Sequence, residues 1–307
     1  MRLQLNQVEL LTHLYRNNIL RLLARKDINE KIWNQKVENS TVENYILYTW
    51  AMDATAENWC AIVDGDYDFI FPIPFSVNLG VNRARQQVYS RQVDFIGDKN
   101  LLSKAIELLK IEFRECDVRI SQNELGITDH YFQVLDLEND FDYSTNAKRL
   151  IKKSEHLSYK QTDDLTSLMS LYTSNTHEKL NNSDENLSRL ENLMMECLKN
   201  GKGYAFNALD GEDIIGACFI IEDKSTATYL IGDSNPEEKK AGVVYGMMNY
   251  AIQKAQEKKM KRFDFGGSNV DSVAQFYRKF GAKNQNYTRL SWDNAPFWFK
   301  TLKKLKR

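Results

Sequence analysis

The stretch Tyr229–Ala282, YLIGDSNPEEKKAGVVYGMMNYAIQKAQEKKMKRFDFGGSNVDSVAQFYRKFGA, decides the fold. It opens on an apolar strand that stops at Gly232. The chain then turns through Asp233-Ser234-Asn235-Pro236 into a helix over about 242–258. Val243, Val244, Met247, Met248, Ala251, Ile252 and Ala255 recur there at helical spacing. Arg262 to Phe265 reads as a second strand, which Gly266-Gly267 ends. Ser272 to Lys279 reads as a second helix, capped by Asn269 or Asp271. A helix crossing between two strands makes those strands parallel neighbours, right-handed by default. Both helix starts and Tyr277 are thereby brought to one edge of a sheet.

Working outward, three apolar runs precede this unit: YAFNAL, IIGACFII and ATYLIG, separated by Asp210-Gly211 and Asp223-Lys224-Ser225. They predict an antiparallel meander with short turns. Helical patterns cover Ser144–His156, Asp163–Lys179 and Asp184–Lys199. In the first half, Ile19–Leu23 reads as a strand, Asp27–Val37 as a helix with Asp27 as N-cap, and Val42–Met52 as a second helix-like run. AIVDGDYDFIFPIPF reads as two strands around Asp64-Gly65. Pro72 and Pro74 remove ladder donors, so the second of these strands must end there or lie at an edge. Gln92–Ile96 reads as another strand, Leu101–Phe113 as a helix, and Val118–Ile120 and Tyr131–Leu137 as strands. The boundary between halves falls between Leu137 and Ser144, giving lobes 1–140 and 141–307.

The 307 residues, 42% hydrophobic and 11% aromatic, suffice for a sizeable core. A net charge of -1 draws the chain as a whole neither to DNA nor to a membrane surface. The four cysteines, at 60, 116, 197 and 218, form no CxxC pair and read as free thiols of a reducing compartment. The N-terminus lacks a signal-peptide pattern and no run has the length of a membrane span, so a cytoplasmic location is expected. The four histidines are scattered without metal-ligand spacing, so no metal is expected. No G-x-S-x-G elbow supports serine-hydrolase chemistry.

The segment NPEEKKAGVV, 235–244, starts a helix whose first-turn amides are unpaired and carry the positive end of the dipole. Such a terminus suits phosphate, with Lys239 and Lys240 adding charge and Gly242 letting a ligand approach the backbone. The alternative is a solvated helix start with two surface lysines. Tyr277 points toward the gap where the two parallel strands diverge, and a phenol there would give a proton to a leaving group. The alternative is a packing tyrosine. Asp264, alternating with Phe263 and Phe265, serves either as a base for an acceptor amine or as a hydrogen-bonding group within the sheet. Lys148, Arg149, Lys152 and Lys153 form a basic helix face, either solvated or in contact with phosphate.

The strand–turn–helix–strand–helix order, followed by Ala274, Phe276, Tyr277, Phe280 and Gly281, resembles the GNAT superfamily of N-acyltransferases. Lys239-Lys240-Ala241-Gly242-Val243-Val244 is the nearest match to that family's pyrophosphate loop, [QR]-x-x-G-x-[GA], and departs from it at both ends. FDFGGSN and the later F-x-x-x-F-G resemble the FemAB-type branch, bacterial proteins with two GNAT-like halves in one chain. WCAIVDGDYDFIFPIPF with QQVYSRQVDFIG is similar to the first lobe of that branch, and STNAKRLIKKSEH to the basic helix opening the second.

The resemblance implies an α/β fold of two GNAT-like lobes, each a mixed sheet flanked by helices. It implies an acyl or aminoacyl transferase acting on a primary amine, of a small molecule or a peptidoglycan precursor. The donor would be acetyl-CoA or another acyl-CoA, with aminoacyl-tRNA the other option; Tyr277 stands where some FemAB-type members carry lysine, which leans toward CoA. The implied donor site is Lys239, Lys240, Ala241, Gly242, Val243, Val244, Asn269 and Phe276. Tyr277 would be the general acid, and Arg149 and Asp264 would meet the substrate. The rival reading, prompted by Val244 in the loop, is a non-catalytic GNAT-like scaffold. The C-terminal FWFKTLKKLKR, with five basic residues and no acid, has two readings, contact with anionic lipid or RNA, or a tail helix with its lysines in solvent; the expectation is the second, packing Phe297, Trp298 and Leu302 on the first lobe.

Overall fold

A computed structural model describes residues 20–65, 67–121, 127–177, 183–237, 242–267 and 270–305. The chain divides into two compact units, Met1–Ile127 with Thr288–Arg307, and Thr128–Tyr287. The C-terminal tail therefore groups with the first unit and not with residues 141–287.

The first unit contains β1 (Leu20–Ala24), α1 (Glu30–Asn39), α2 (Thr49–Thr55), β2 (Asn58–Asp64), β3 (Phe69–Asn78), β4 (Val81–Arg85), α3 (Leu102–Glu112) and β5 (Glu115–Ile120). The strands lie in the order β1-β2-β3-β4-β5. All pairs are antiparallel except β4 with β5. The cap of α1 is Asn29, which accepts from the Ile32 amide, and Asp27 instead closes a short 3-10 turn. The helix expected over 42–52 splits into a 3-10 turn, Tyr45–Leu47, and α2. Gln92–Ile96 makes isolated bridges in place of a strand.

Strand β3 neither ends at Pro72 and Pro74 nor lies at the edge. It continues to Asn78 between β2 and β4. The reason is parity. Ile70 N–H donates away from β2, to the Ile96 carbonyl. Residues 72 and 74 share that outward direction, and β4 pairs β3 only over Phe75–Asn78. The missing donors thus face a side where no ladder partner stands.

The second unit contains β6 (Ile127–Asp136), α4 (Thr145–Lys153), β7 (Ser158–Thr162), α5 (Thr166–Tyr172), α6 (Asp184–Lys199), β8 (Gly203–Asp210), β9 (Asp213–Asp223), β10 (Thr226–Ser234), α7 (Val243–Glu257), β11 (Arg262–Asp264), α8 (Asp271–Arg278) and the start of β12 (Lys283–Asp293). Its strand order is β12-β6-β11-β10-β9-β8-β7. The meander β8-β9-β10 is antiparallel, and β10 and β11, joined through α7, are parallel. The sequence reading missed β7, whose SYKQT lacks an apolar face; it is held by its ladder to β8. Helix α8 starts behind Val270 without a side-chain cap, and Asp271 is its first residue. One core joins β8–β11 to the inner faces of α7 and α8, with Phe206, Ala251, Ile252, Phe263 and Phe280 sealed from solvent. The rest of β12 and α9 (Phe297–Leu305) belong to the first unit, where Thr288–Asp293 pairs with β5.

Phe263→Ala removes a fully buried ring from the only parallel pair of the second unit's described strands. It should lower unfolding stability by about 3–5 kcal/mol in urea titration.

Candidate functional site

The site forms where β10 and β11 part. Their pairing covers Thr226–Thr228 against Arg262–Asp264 and then stops. Beyond it, β10 runs from Tyr229 to Ser234 against β9, and its register on β9 slips between Tyr229 and Ile231. Such a bulge bends a strand and raises its twist. Strand β11 does not follow, because the chain turns aside at Gly266, φ +77°. A Cβ at Gly266 would stand 2.5 Å from the Tyr229 carbonyl oxygen, so the close approach requires glycine. The Gly266 amide donates to Asp264 Oδ1 at 2.9 Å and closes the turn.

Helix α7 begins at Val243 behind Gly242, which is left-handed (φ 94°, ψ 10°) and supplies no side-chain cap. The first-turn amides, at Val243, Val244 and Tyr245, have no intrahelical acceptor and carry the positive end of the dipole. Val243 is buried, and Val244 is half-buried. Gly242 was expected to leave room for a ligand. The space is taken by the chain itself: a Cβ there would lie 2.4 Å from the Leu150 carbonyl oxygen of α4. Lys239, Lys240, Ala241 and Asn269 lie outside the described residues.

Tyr277 is on the inward face of α8 and keeps 8% of its surface exposed. Its ring centroid is 4.9 Å from that of Phe265 and 5.7 Å from that of Phe276. Burial pushes its phenol well above the ordinary value, and the Asp264 carboxylate adds to the shift. Burial also raises Tyr229, with smaller contributions from Cys218, Tyr277 and Asp233. Val243, Met247, Phe265 and Tyr277 belong to one core cluster, and Tyr229, Val244, Tyr245 and Phe276 pack against it. The helix start and the phenol thus share one apolar neighbourhood.

Asp264 is buried at 3% exposure, with one carboxylate oxygen accepting from Gly266. Arg149 is exposed and donates to Asn146 Oδ1 at 3.1 Å. That asparagine leads back to α7: its Nδ2 donates to the Tyr245 hydroxyl at 3.5 Å, and Lys279 Nζ donates to the same oxygen at 3.0 Å. The Tyr245 ring meets Phe276 edge-on at 5.0 Å. Tyr245, Lys279 and Asn146 are residues the sequence reading did not single out. Only Lys279 carried a signal, two places after Tyr277 in FYRKFG.

Gly242→Ala should destabilise the protein by at least about 1–2 kcal/mol through left-handed strain, with the Leu150 carbonyl adding to it. Urea unfolding without any ligand reads this. An unchanged midpoint would mean that the glycine serves only a ligand.

Comparison with known proteins fits this geometry. Residues 142–278 match the acetyltransferase (GNAT) domain family. No curated protein sequence matches the chain. The fold is similar to that of FemX, at 12% identity over 91% of this chain and 98% of that one, TM-score 0.62. It is also similar to the C-terminal domain of a putative lysylphosphatidylglycerol synthetase from Agrobacterium fabrum, at 10% identity over 90% and 95%, TM-score 0.58. A third similar fold is L-PGS from Bacillus licheniformis, at 11% identity over 90% and 95%, TM-score 0.57. At these identities the solved structures speak to fold, and the domain match speaks to family. Residues 142–278 therefore match a GNAT acetyltransferase domain, and the chain as a whole has a fold similar to that of FemX.

Proposed function

We propose that this protein transfers an acyl or aminoacyl group from a CoA- or tRNA-linked donor to a primary amine, of a small molecule or a peptidoglycan precursor. The observation that carries this reading is the parting of β10 from β11 beside an uncapped α7 start and Tyr277, all within one cluster. The lysyl group in the name of one fold relative supports keeping aminoacyl donors in the class.

An acyl donor supplies an activated carbonyl. The chain's own residues would do the rest. The first-turn amides of α7, at Val243 and Val244, would hold the donor's phosphates by hydrogen bonding and dipole. Lys239, Lys240, Ala241, Gly242, Asn269 and Phe276 complete the proposed donor site. Amides of β10 past Tyr229, freed from β11, would polarise the carbonyl. Holding the amine against it supplies most of the remaining advantage through orientation. Burial keeps the Tyr277 phenol neutral; it would give its proton to the leaving group as that group departs, and the proton lost by the attacking amine would restore it. Arg149 and Asp264 are proposed to meet the acceptor.

Tyr277→Phe should lower kcat by about 10²-fold with little change in donor Kd. An unchanged rate removes the phenol from the mechanism. Acyl-CoA or aminoacyl-tRNA should raise the Tm of the wild type. Val244→Glu, which puts a carboxylate at the helix start without touching Leu150, should abolish that shift. No shift with either donor class would favour the scaffold reading.

The same residue sets an alkaline signature. Burial raises the folded-state value of Tyr277 above its unfolded value of about 10. Its share of stability is therefore intact below about pH 10 and lost as pH rises above it. Tyr277→Phe should make the alkaline limb of Tm against pH less steep, with Tyr204 and Tyr229, also raised by burial, sustaining the rest, while leaving the neutral region level.

A further inference from the structure

We propose that the outward face of α9 is a docking surface for an anionic lipid bilayer. The helix is fixed from within. Phe299 is buried against Val81 and Ala295, and the Arg83 guanidinium lies 5.9 Å from its ring. Lys303 Nζ donates to Glu115 Oε1 at 2.9 Å, and Lys300 Nζ reaches the Asp293 carbonyl oxygen at 3.0 Å. Glu115 is buried; burial pushes its carboxyl up, but hydrogen bonds from Lys303, Arg83 and Arg85 hold it at about 2. These anchors set the roll of the helix, so its other face is presented in one orientation.

That other face is apolar. Phe297 is 84% exposed, Trp298 49% and Leu302 43%. Thr301, between them, is exposed and donates its hydroxyl to the Phe297 carbonyl, which turns its polar atom back along the helix. Leu79, two residues before the Val81 that α9 packs on, is 52% exposed. The expected burial of Phe297, Trp298 and Leu302 is therefore reversed: Phe299 is the residue that packs inward.

Charge selects the occupant. The segment 297–307 holds five basic residues and no acid. Exposed aromatic and aliphatic side chains along a helix whose sequence is rich in lysine is the pattern of a helix lying in the bilayer interface. Anionic lipid supplies both the apolar bed and the countercharge. No described helix is long and apolar enough to cross a membrane, so the contact is one of surface docking. This inference rests on the first unit alone and is independent of the acyl-transfer reading.

The test is co-sedimentation of the full chain with vesicles of phosphatidylcholine alone or with about one third phosphatidylglycerol. The protein should pellet with the anionic vesicles only, and release as salt is raised to about 0.5 M. Phe297→Ser with Trp298→Ser should reduce the bound fraction roughly tenfold. Phe297→Ser alone, at a side chain that is mostly solvated, serves as the variant certain to retain the fold and should reduce binding in the same direction. Unaltered Tm in both variants confirms that a lost surface, not unfolding, is read. The proposal is overturned by pelleting with neither vesicle, or by equal pelleting of wild type and variants. It is also overturned if these substitutions dissolve a dimer in light scattering, or if the segment retains RNA while ignoring vesicles.

Discussion

Strands β10 and β11 pair across three residue positions and then separate, and the second unit is organised around that separation. Two local facts enforce it. The bulge at Tyr229–Ile231 bends β10 along β9, and the left-handed Gly266 carries the other chain across the Tyr229 carbonyl and away. A parallel sheet normally satisfies each backbone group through its neighbour. Here the amides of β10 past Tyr229 lose β11 as a ladder neighbour on that side. Helix α7, which connects the two strands, must start near this opening because β10 ends there. Its first turn therefore arrives without a side-chain cap from Gly242.

The aromatic packing carries the phenol to the same place. Phe265 leaves β11 and packs at a tilt on Tyr277, while Phe276 bridges Tyr277 and Tyr245, the third residue of α7. Rings at these separations contribute both area burial and directional contact. The polar rim is tied to them by one oxygen, the Tyr245 hydroxyl, which receives Lys279 and Asn146. Among the described residues, Arg149 connects to that rim through Asn146, so its position depends on where α4 is pressed. Gly242 sets that position by admitting the Leu150 carbonyl.

In the first unit a single buried carboxylate has the corresponding role. Glu115 gathers Arg83 and Arg85 from β4 and Lys303 from α9, so strand, neighbour and tail helix converge on one group. A buried charge is costly unless paired and hydrogen-bonded. That requirement makes the docking of α9 specific rather than merely apolar, and leaves Phe297 and Trp298 outside.

Periodicity alone determined the meander β8–β10, the helix α7, the parallel neighbour β11 and the existence of α8, since each buries one face at a regular spacing. The same letters carried the resemblance that named Tyr277. What periodicity cannot show is pairing. SYKQT became β7 only because β8 offered a ladder edge. Pro72 and Pro74 sit inside β3 because their outward side meets no strand, a matter of parity against a distant segment. Gly242 reads in sequence as space for a ligand, and the fold fills that space with Leu150. In each case the deciding atom lies far along the chain, and only the tertiary structure brings it within contact distance.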